Sequence, residues 1–189
     1  MKLTNAMEPI VRERLSQLRA QAGPGGGTCW CPLCRADMMA LALSRLPPRY
    51  ATRRPATVED DSVLAEVVHA EVLRAALHVG RNPKHGAGGA VATGSSVWVV
   101  NLPLEESFRA IGAMLRDSDG ACDCWHCRCD MVAFALNRHP SRYGVEHGGQ
   151  TRHFEDERRK MRTELAAFLE LAIRVVTTVP RHDFSAATA

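Results

Sequence analysis

The sequence predicts an all-α protein made of two tandem three-helix repeats that pack together as a pseudo-two-fold dimer. Three observations predict it. The stretch Cys29-Trp-Cys-Pro-Leu-Cys34 with its following apolar segment recurs, without a gap, from Cys122 to Cys127 onward. Apolar residues elsewhere recur at helical spacing. Apart from Val97-Trp-Val-Val100, strand-like runs are absent. The identical positions extend well beyond the cysteines to Arg35/Arg128, Asp37/Asp130, Met38/Met131, Leu43/Leu136, Arg45/Arg138, Pro47/Pro140, Arg49/Arg142 and Tyr50/Tyr143. A period this long is a duplicated domain rather than a solenoid repeat. The boundaries read as a first repeat over 1–85, a Gly/Ser-rich linker over 86–96 and a second repeat over 97–189. Lobes of this size bury little surface alone, so they are expected to lean on each other, on a metal, or on both.

In chain order, Asn5 is placed to cap a first helix reaching about Ala22, with Glu8 as capping-box partner and Pro9 tolerated in the first turn. Met7, Ile10, Val11, Leu15 and Leu18 form its apolar stripe, and the run Gly23-Pro-Gly-Gly-Gly27 ends it. Pro32 suits the first position of the second helix, where its missing N–H costs nothing. Met38 to Leu43 is apolar on nearly every face, which marks a helix buried on several sides. Asp37 and Asp130 are polar residues in these apolar helices. Each reads either as a first-turn acid favoured by the helix dipole or as a buried acceptor holding a neighbouring segment. Pro47-Pro48 stops the helix before a basic loop containing Arg53 and Arg54. A third helix is expected from about Glu59 to Val79, capped by Asp60 or Asp61 and followed by Asn82-Pro-Lys-His85. The second repeat should follow the same plan, with helices from about Leu104 to Arg116 and from about Phe154 to Thr178. Val97-Trp-Val-Val100, with no partner strand in view, reads as an extended lead-in.

The net charge of +3 and pI near 8.6 permit an anionic ligand without demanding one. Seven cysteines, an odd number, and the lack of a signal-type apolar segment at Met1 to Val11 point to a reduced, cytoplasmic setting. The most apolar helix, Leu165 to Val176, is interrupted by Glu170 and Arg174 and is too short to span a bilayer. Arg152 and Arg158-Arg-Lys-Met-Arg162 are interleaved with Glu155, Asp156 and Glu157, which reads as an ion-paired exposed face rather than a nucleic-acid surface.

Three thiols at Cys-x-Cys-x-x-Cys can fold around one soft ion, so Cys29, Cys31, Cys34 and Cys122, Cys124, Cys127 are the candidate metal ligands, with zinc in a structural role. Zinc asks for a fourth donor. His85 and His182 each follow a Pro-basic dipeptide at the end of a third helix. Either they complete the sites or they hydrogen-bond the last helix carbonyls. Cys129 lies off the shared face and reads as a packed small hydrophobe. A dithiol redox pair lacks the βαβ context it needs. No His-Glu-x-x-His, Ser/His/Asp grouping or phosphate loop is present, so no catalytic residue is assigned and an enzyme is not expected.

Cys-x-Cys-x-x-Cys-Arg-x-Asp-x-x-Ala-Leu-Ala-Leu-x-x-Leu-Pro-Pro-Arg-Tyr, preceded by Asn5-Ala-Met-Glu-Pro-Ile-Val11, resembles the late-competence ComFB family. The resemblance implies small, all-helical, cytoplasmic protomers with a cysteine-bound zinc. It also implies binding of a cyclic dinucleotide, cyclic di-GMP or cyclic di-AMP, acting on competence, pili and motility through a protein partner. By that resemblance the chain looks like two protomers fused into one. The second copy departs from the first at His139 and Ser141, where Leu46 and Pro48 stand, and in the opening of its first helix. The candidate ligand-binding residues are Arg49, Tyr50, Arg142, Tyr143, Asp37 and Asp130, the Arg-Tyr pairs offering a guanidinium for phosphate and an aromatic face for a purine. Alternatively, Pro-x-Arg-Tyr only terminates the helix. The competing function, from a different class, is a helical adaptor with structural zinc and no small ligand.

Overall fold

A computed structural model describes residues 3–23, 27–52, 62–85, 96–147 and 154–180. Arg53, Arg54, Asp60, Asp61, the linker up to residue 95, Arg152 and His182 lie outside the described residues. The element order is β1 (Thr4–Asn5), α1 (Met7–Ala22), α2 (Pro32–Arg45), β2 (Tyr50–Ala51), α3 (Ser62–Arg81), β3 (Val97–Asn101), α4 (Leu102–Arg116), α5 (Trp125–Leu136), β4 (Tyr143–His147) and α6 (Glu155–Thr178). The second half repeats the order of the first.

The helices end where local chemistry ends them. Gly23 takes φ +63°, a left-handed value that favours glycine, and closes α1. Pro32 is the first residue of α2, and Leu46 turns extended ahead of Pro47. Asn5 does accept from the Met7 N–H at 3.1 Å, although the chain is already helical at Ala6. The capping box does not close: the Glu8 carboxylate instead accepts from the partly buried Tyr143 hydroxyl at 3.0 Å.

The all-α expectation is corrected at one point: the chain is mostly helical but carries two small two-stranded pairings. Val97–Asn101 is not a lead-in but a strand, paired antiparallel with Tyr143–His147 in the register Val97↔His147 to Asn101↔Tyr143. A shorter pairing, Thr4↔Ala51 and Asn5↔Tyr50, occupies the same place in the first half. Each pairing ties the segment before a half's first helix to the segment after its second.

Two buried clusters form the interior. The first gathers Met7, Val11 and Leu15 of α1, Met38 and Leu43 of α2, and Leu64, Val68, Val72 and Val79 of α3. The second gathers Ile111 and Leu115 of α4, Met131 and Leu136 of α5, and Met161, Leu165 and Leu169 of α6. Each fully buried side chain of this kind contributes about 1.5–3 kcal/mol. The clusters exchange residues: Leu3 and Tyr50 of the first half sit in the second cluster, and Tyr143 of the second half packs against the first. Cys129 is fully buried in the second cluster, as its place off the thiol face predicts.

Backbone groups also cross between the halves. The Asn137 side chain takes the Tyr50 N–H at 2.7 Å and donates to the Tyr50 carbonyl at 3.0 Å. At the matching positions the Ser44 hydroxyl accepts from the Tyr143 N–H at 2.9 Å. The basic run of α6 is not all surface. Arg158 is buried and pairs with Glu105 and Glu106 of α4 at 2.7 and 3.0 Å, and Arg162 reaches Glu106 at 2.8 Å. These partners come from another helix rather than from Glu155 to Glu157, since Arg158 falls on the apolar side of α6 with Met161 and Leu165.

Candidate metal centre and interhalf cavity

Each thiol cluster is built on a helix start. Cys31 caps α2 and its sulfur accepts the Cys34 N–H at 3.5 Å; Cys124 caps α5 and accepts the Cys127 N–H at 3.4 Å. The cap and the residue one turn on face the same way, and the extended approach brings in Cys29 or Cys122. In the first half His85 joins: its Nε2 lies 3.1 Å from Cys34 Sγ, and the donor atoms of Cys29, Cys31, Cys34 and His85 all lie within 4.8 Å of one another. In the second half Cys122, Cys124 and Cys127 form the same group. Both clusters can hold a metal ion. Three thiols and an imidazole are a complete tetrahedral donor set for a borderline-soft ion; the second cluster supplies three of the four among the described residues.

Electrostatics agree with that use. Burial, followed by the adjoining sulfurs of Cys31 and Cys29, pushes the Cys34 thiol up to about 12; burial with Cys122 and Cys124 does the same at Cys127. At Cys124 burial acts upward too, but the Cys127 N–H and the neighbouring thiols outweigh it, and the group ionises below its ordinary value. Crowded sulfurs at a helix N-terminus suit a bound cation, which reverses their mutual repulsion.

His85 owes its position to its neighbour. Lys84 Nζ lies 2.6 Å from Asp37 Oδ1, and Asp37 is buried. Two consecutive residues after α3 therefore fasten to α2, one to its acid and the next to its buried thiol.

The other sequence-selected residues separate. Arg49 is exposed, and its backbone N–H donates to Asn5 Oδ1 at 3.1 Å. Arg142 Nη2 lies 3.0 Å from Glu164, itself 3.4 Å from the buried His139. The Tyr50 and Tyr143 hydroxyls turn inward, where Asn101 Nδ2 reaches both at 2.7 and 2.9 Å and Asn5 reaches Tyr143 at 2.9 Å. Tyr50 and Asp130 border an open cavity of about 900 Å³, where β2 of the first half meets α5 and α6 of the second. Thr52, His126, Asn137 and Arg138 supply its other polar groups, and Phe134, Val175 and Val179 its apolar wall. The sequence reading did not select Thr52, Phe134, Arg138 or His126. Arg138 was visible as a duplicated position, but nothing in the sequence aimed it at a cavity.

A family model described as late competence development protein ComFB matches residues 4–83 and, a second time, residues 104–180. The chain belongs to the ComFB family. The double match agrees with the two copies seen in sequence and in element order, each carrying a thiol cluster. No curated protein and no solved structure matches the chain. No helix among the described residues is long and apolar enough to cross a membrane.

Proposed function

We propose that this chain is a non-enzymatic, cytoplasmic sensor of a cyclic dinucleotide, cyclic di-GMP or cyclic di-AMP. It passes its ligand state to a protein partner in the control of competence, pili or motility. In this reading the two repeats form an intramolecular pseudo-two-fold dimer, and zinc, which suits thiolate and imidazole donors, is structural. The observation that carries the reading is the cavity between the halves. A ligand seated there touches β2 of one repeat and α5 and α6 of the other, so its binding bears on how the repeats are held. Its volume falls within the usual range for small-molecule sites, and its wall mixes an aromatic and aliphatic side with a few polar groups. Family membership supports a competence role.

Isothermal titration of the zinc-loaded full chain with both dinucleotides tests it. Micromolar or tighter binding of either is the expected result. Replacing Arg49 and Arg142 together by Ala should weaken binding if those guanidiniums take the phosphates; unchanged affinity removes them from the site and leaves the cavity to do the work.

The adaptor reading draws on a different observation. Trp98 is 56% exposed on β3, and Val63 and Val67 are exposed on α3, apolar surface that a protein partner would cover. A thermal-shift screen divides the two readings, because a ligand bound only by the native state raises the midpoint.

A further inference from the structure

The duplicated halves are not electrostatic equals. In the first copy Asp37 is neutralised by Lys84 at 2.6 Å, and Arg45 faces Glu71 at 4.0 Å. The matching residues of the second copy, Asp130 and Arg138, have no ion-pair partner among the described residues, and both border the cavity. Asp130 is half-buried, with the Thr52 hydroxyl at 3.5 Å as its partner. The Arg138 guanidinium carbon lies 3.5 Å over the Phe134 ring, and one of its nitrogens donates to the Phe134 carbonyl at 3.0 Å.

A lone carboxylate in such a wall reads one purine better than the other. Guanine presents two adjacent donors, its ring N–H and its amino group, which a carboxylate accepts in parallel. Adenine presents a donor beside a ring-nitrogen acceptor, and that acceptor would face the carboxylate oxygen. Arg138, fixed on an aromatic face with further N–H groups to give, suits a phosphate next to the base.

We infer that the cavity is a single-sided guanine nucleotide site: Asp130 reads the guanine edge, Arg138 takes a phosphate, and the first copy's counterparts take no part. The inference rests on the cyclic-dinucleotide reading for the class of ligand and narrows it to the guanine member, bound once per chain.

The test is isothermal titration of the full chain with cyclic di-GMP, cyclic di-AMP, GMP and AMP. Wild type should prefer the guanine member of each pair and bind a single cyclic di-GMP per chain. Asp130→Asn should weaken both guanine ligands about ten- to a hundredfold, the loss expected for a hydrogen-bonded charge, and leave AMP unchanged. Arg138→Gln should weaken cyclic di-GMP while Arg45→Gln does not, and Asp37→Asn, checked for folding by circular dichroism, should bind as wild type. Equal losses at Asp37 and Asp130, no loss at Asp130, or two ligands per chain would overturn the inference while leaving the dinucleotide reading standing. If GMP binds through Asp130 and neither cyclic dinucleotide binds, the dinucleotide reading falls and the guanine site remains. If none of the four binds, both fall.

Discussion

Tyr50 and Tyr143, the two tyrosines of the chain, share one carboxamide: Asn101 Nδ2 lies 2.7 Å from the Tyr50 hydroxyl and 2.9 Å from that of Tyr143. Equivalent residues of the two repeats thus meet at one buried polar point, to which Glu8 and Asn5 add bonds to Tyr143 at 3.0 and 2.9 Å. Burial pushes Tyr50 up to about 12, against the opposing pull of its bonds to Asn101 and Tyr143. Burial, with the neighbouring charges of Tyr50 and Glu8, raises Tyr143 as well.

An alkaline limb of stability follows from that pair. A phenol whose folded pKa is raised stays protonated in the fold after the unfolded chain has ionised. Its stabilisation is fully present below the unfolded value of 10.0 and is lost as pH rises through about 12. Tyr50 accounts for about 2–3 kcal/mol across that window. Tyr50→Phe should therefore flatten the alkaline fall, at a cost of about 1 kcal/mol near neutrality for the lost bond. The check is tyrosinate absorbance followed alongside unfolding. A native-state titration at the ordinary tyrosine value would contradict the buried network.

The buried ion pair of the second half makes a second prediction. Glu106 is fully buried between Arg158, Arg162 and Arg109, at 3.0, 2.8 and 3.3 Å. Arg158→Met removes the buried guanidinium that pairs with this carboxylate and should cost about 3–5 kcal/mol. Glu106→Gln combined with Arg158→Met should cost clearly less, since no charge is left buried. Urea denaturation of the two single variants and the double variant measures the coupling, and strict additivity would contradict it.

With His85 as a fourth ligand, the first thiol cluster should hold a metal more tightly than it does with its three cysteines alone. His85→Ala should lower the zinc retained by reductively purified protein and reduce the melting temperature, while Cys129→Ala should leave zinc content unchanged. A chelator should lower the midpoint of wild type more than that of Cys34→Ser, which has less metal to lose. Equal zinc in wild type and His85→Ala, measured by elemental analysis, would assign the histidine to packing alone.

Helix existence was readable in the sequence because the stripes on α1, α3 and α6 and the proline at the head of α2 are local signals. His85 was readable as well, through its matched position after α3. What was not readable involved partners far along the chain. Val97–Asn101 finds its strand partner only after two intervening helices, so local pattern offers no cue to the pairing. That the hydroxyls of both tyrosines meet at Asn101 was likewise not legible. Residue type gives the chemistry of a side chain, and only the fold gives its direction. The same holds for Asp37 and Asp130, alike in sequence and unlike in surroundings because Lys84 reaches one of them.

The pairing that the sequence concealed also carries the last prediction. Gly144 lies in β4 opposite Val100, and a Cβ placed there would stand 2.7 Å from Phe154 Cζ, with the flanking ring carbons at 3.0 and 3.1 Å. The ring edge of Phe154 occupies the space a side chain would need, so the glycine serves close approach, not an unusual backbone angle. Gly144→Ala must displace that ring from its place over the strand and should cost about 1–3 kcal/mol. Phe154→Leu, shorter at the point of collision, should cost a modest amount alone and recover part of the loss when combined with Gly144→Ala. A double-mutant cycle in urea reads the coupling, which should be favourable. If the two changes simply add, the ring is not what excludes a side chain at this position.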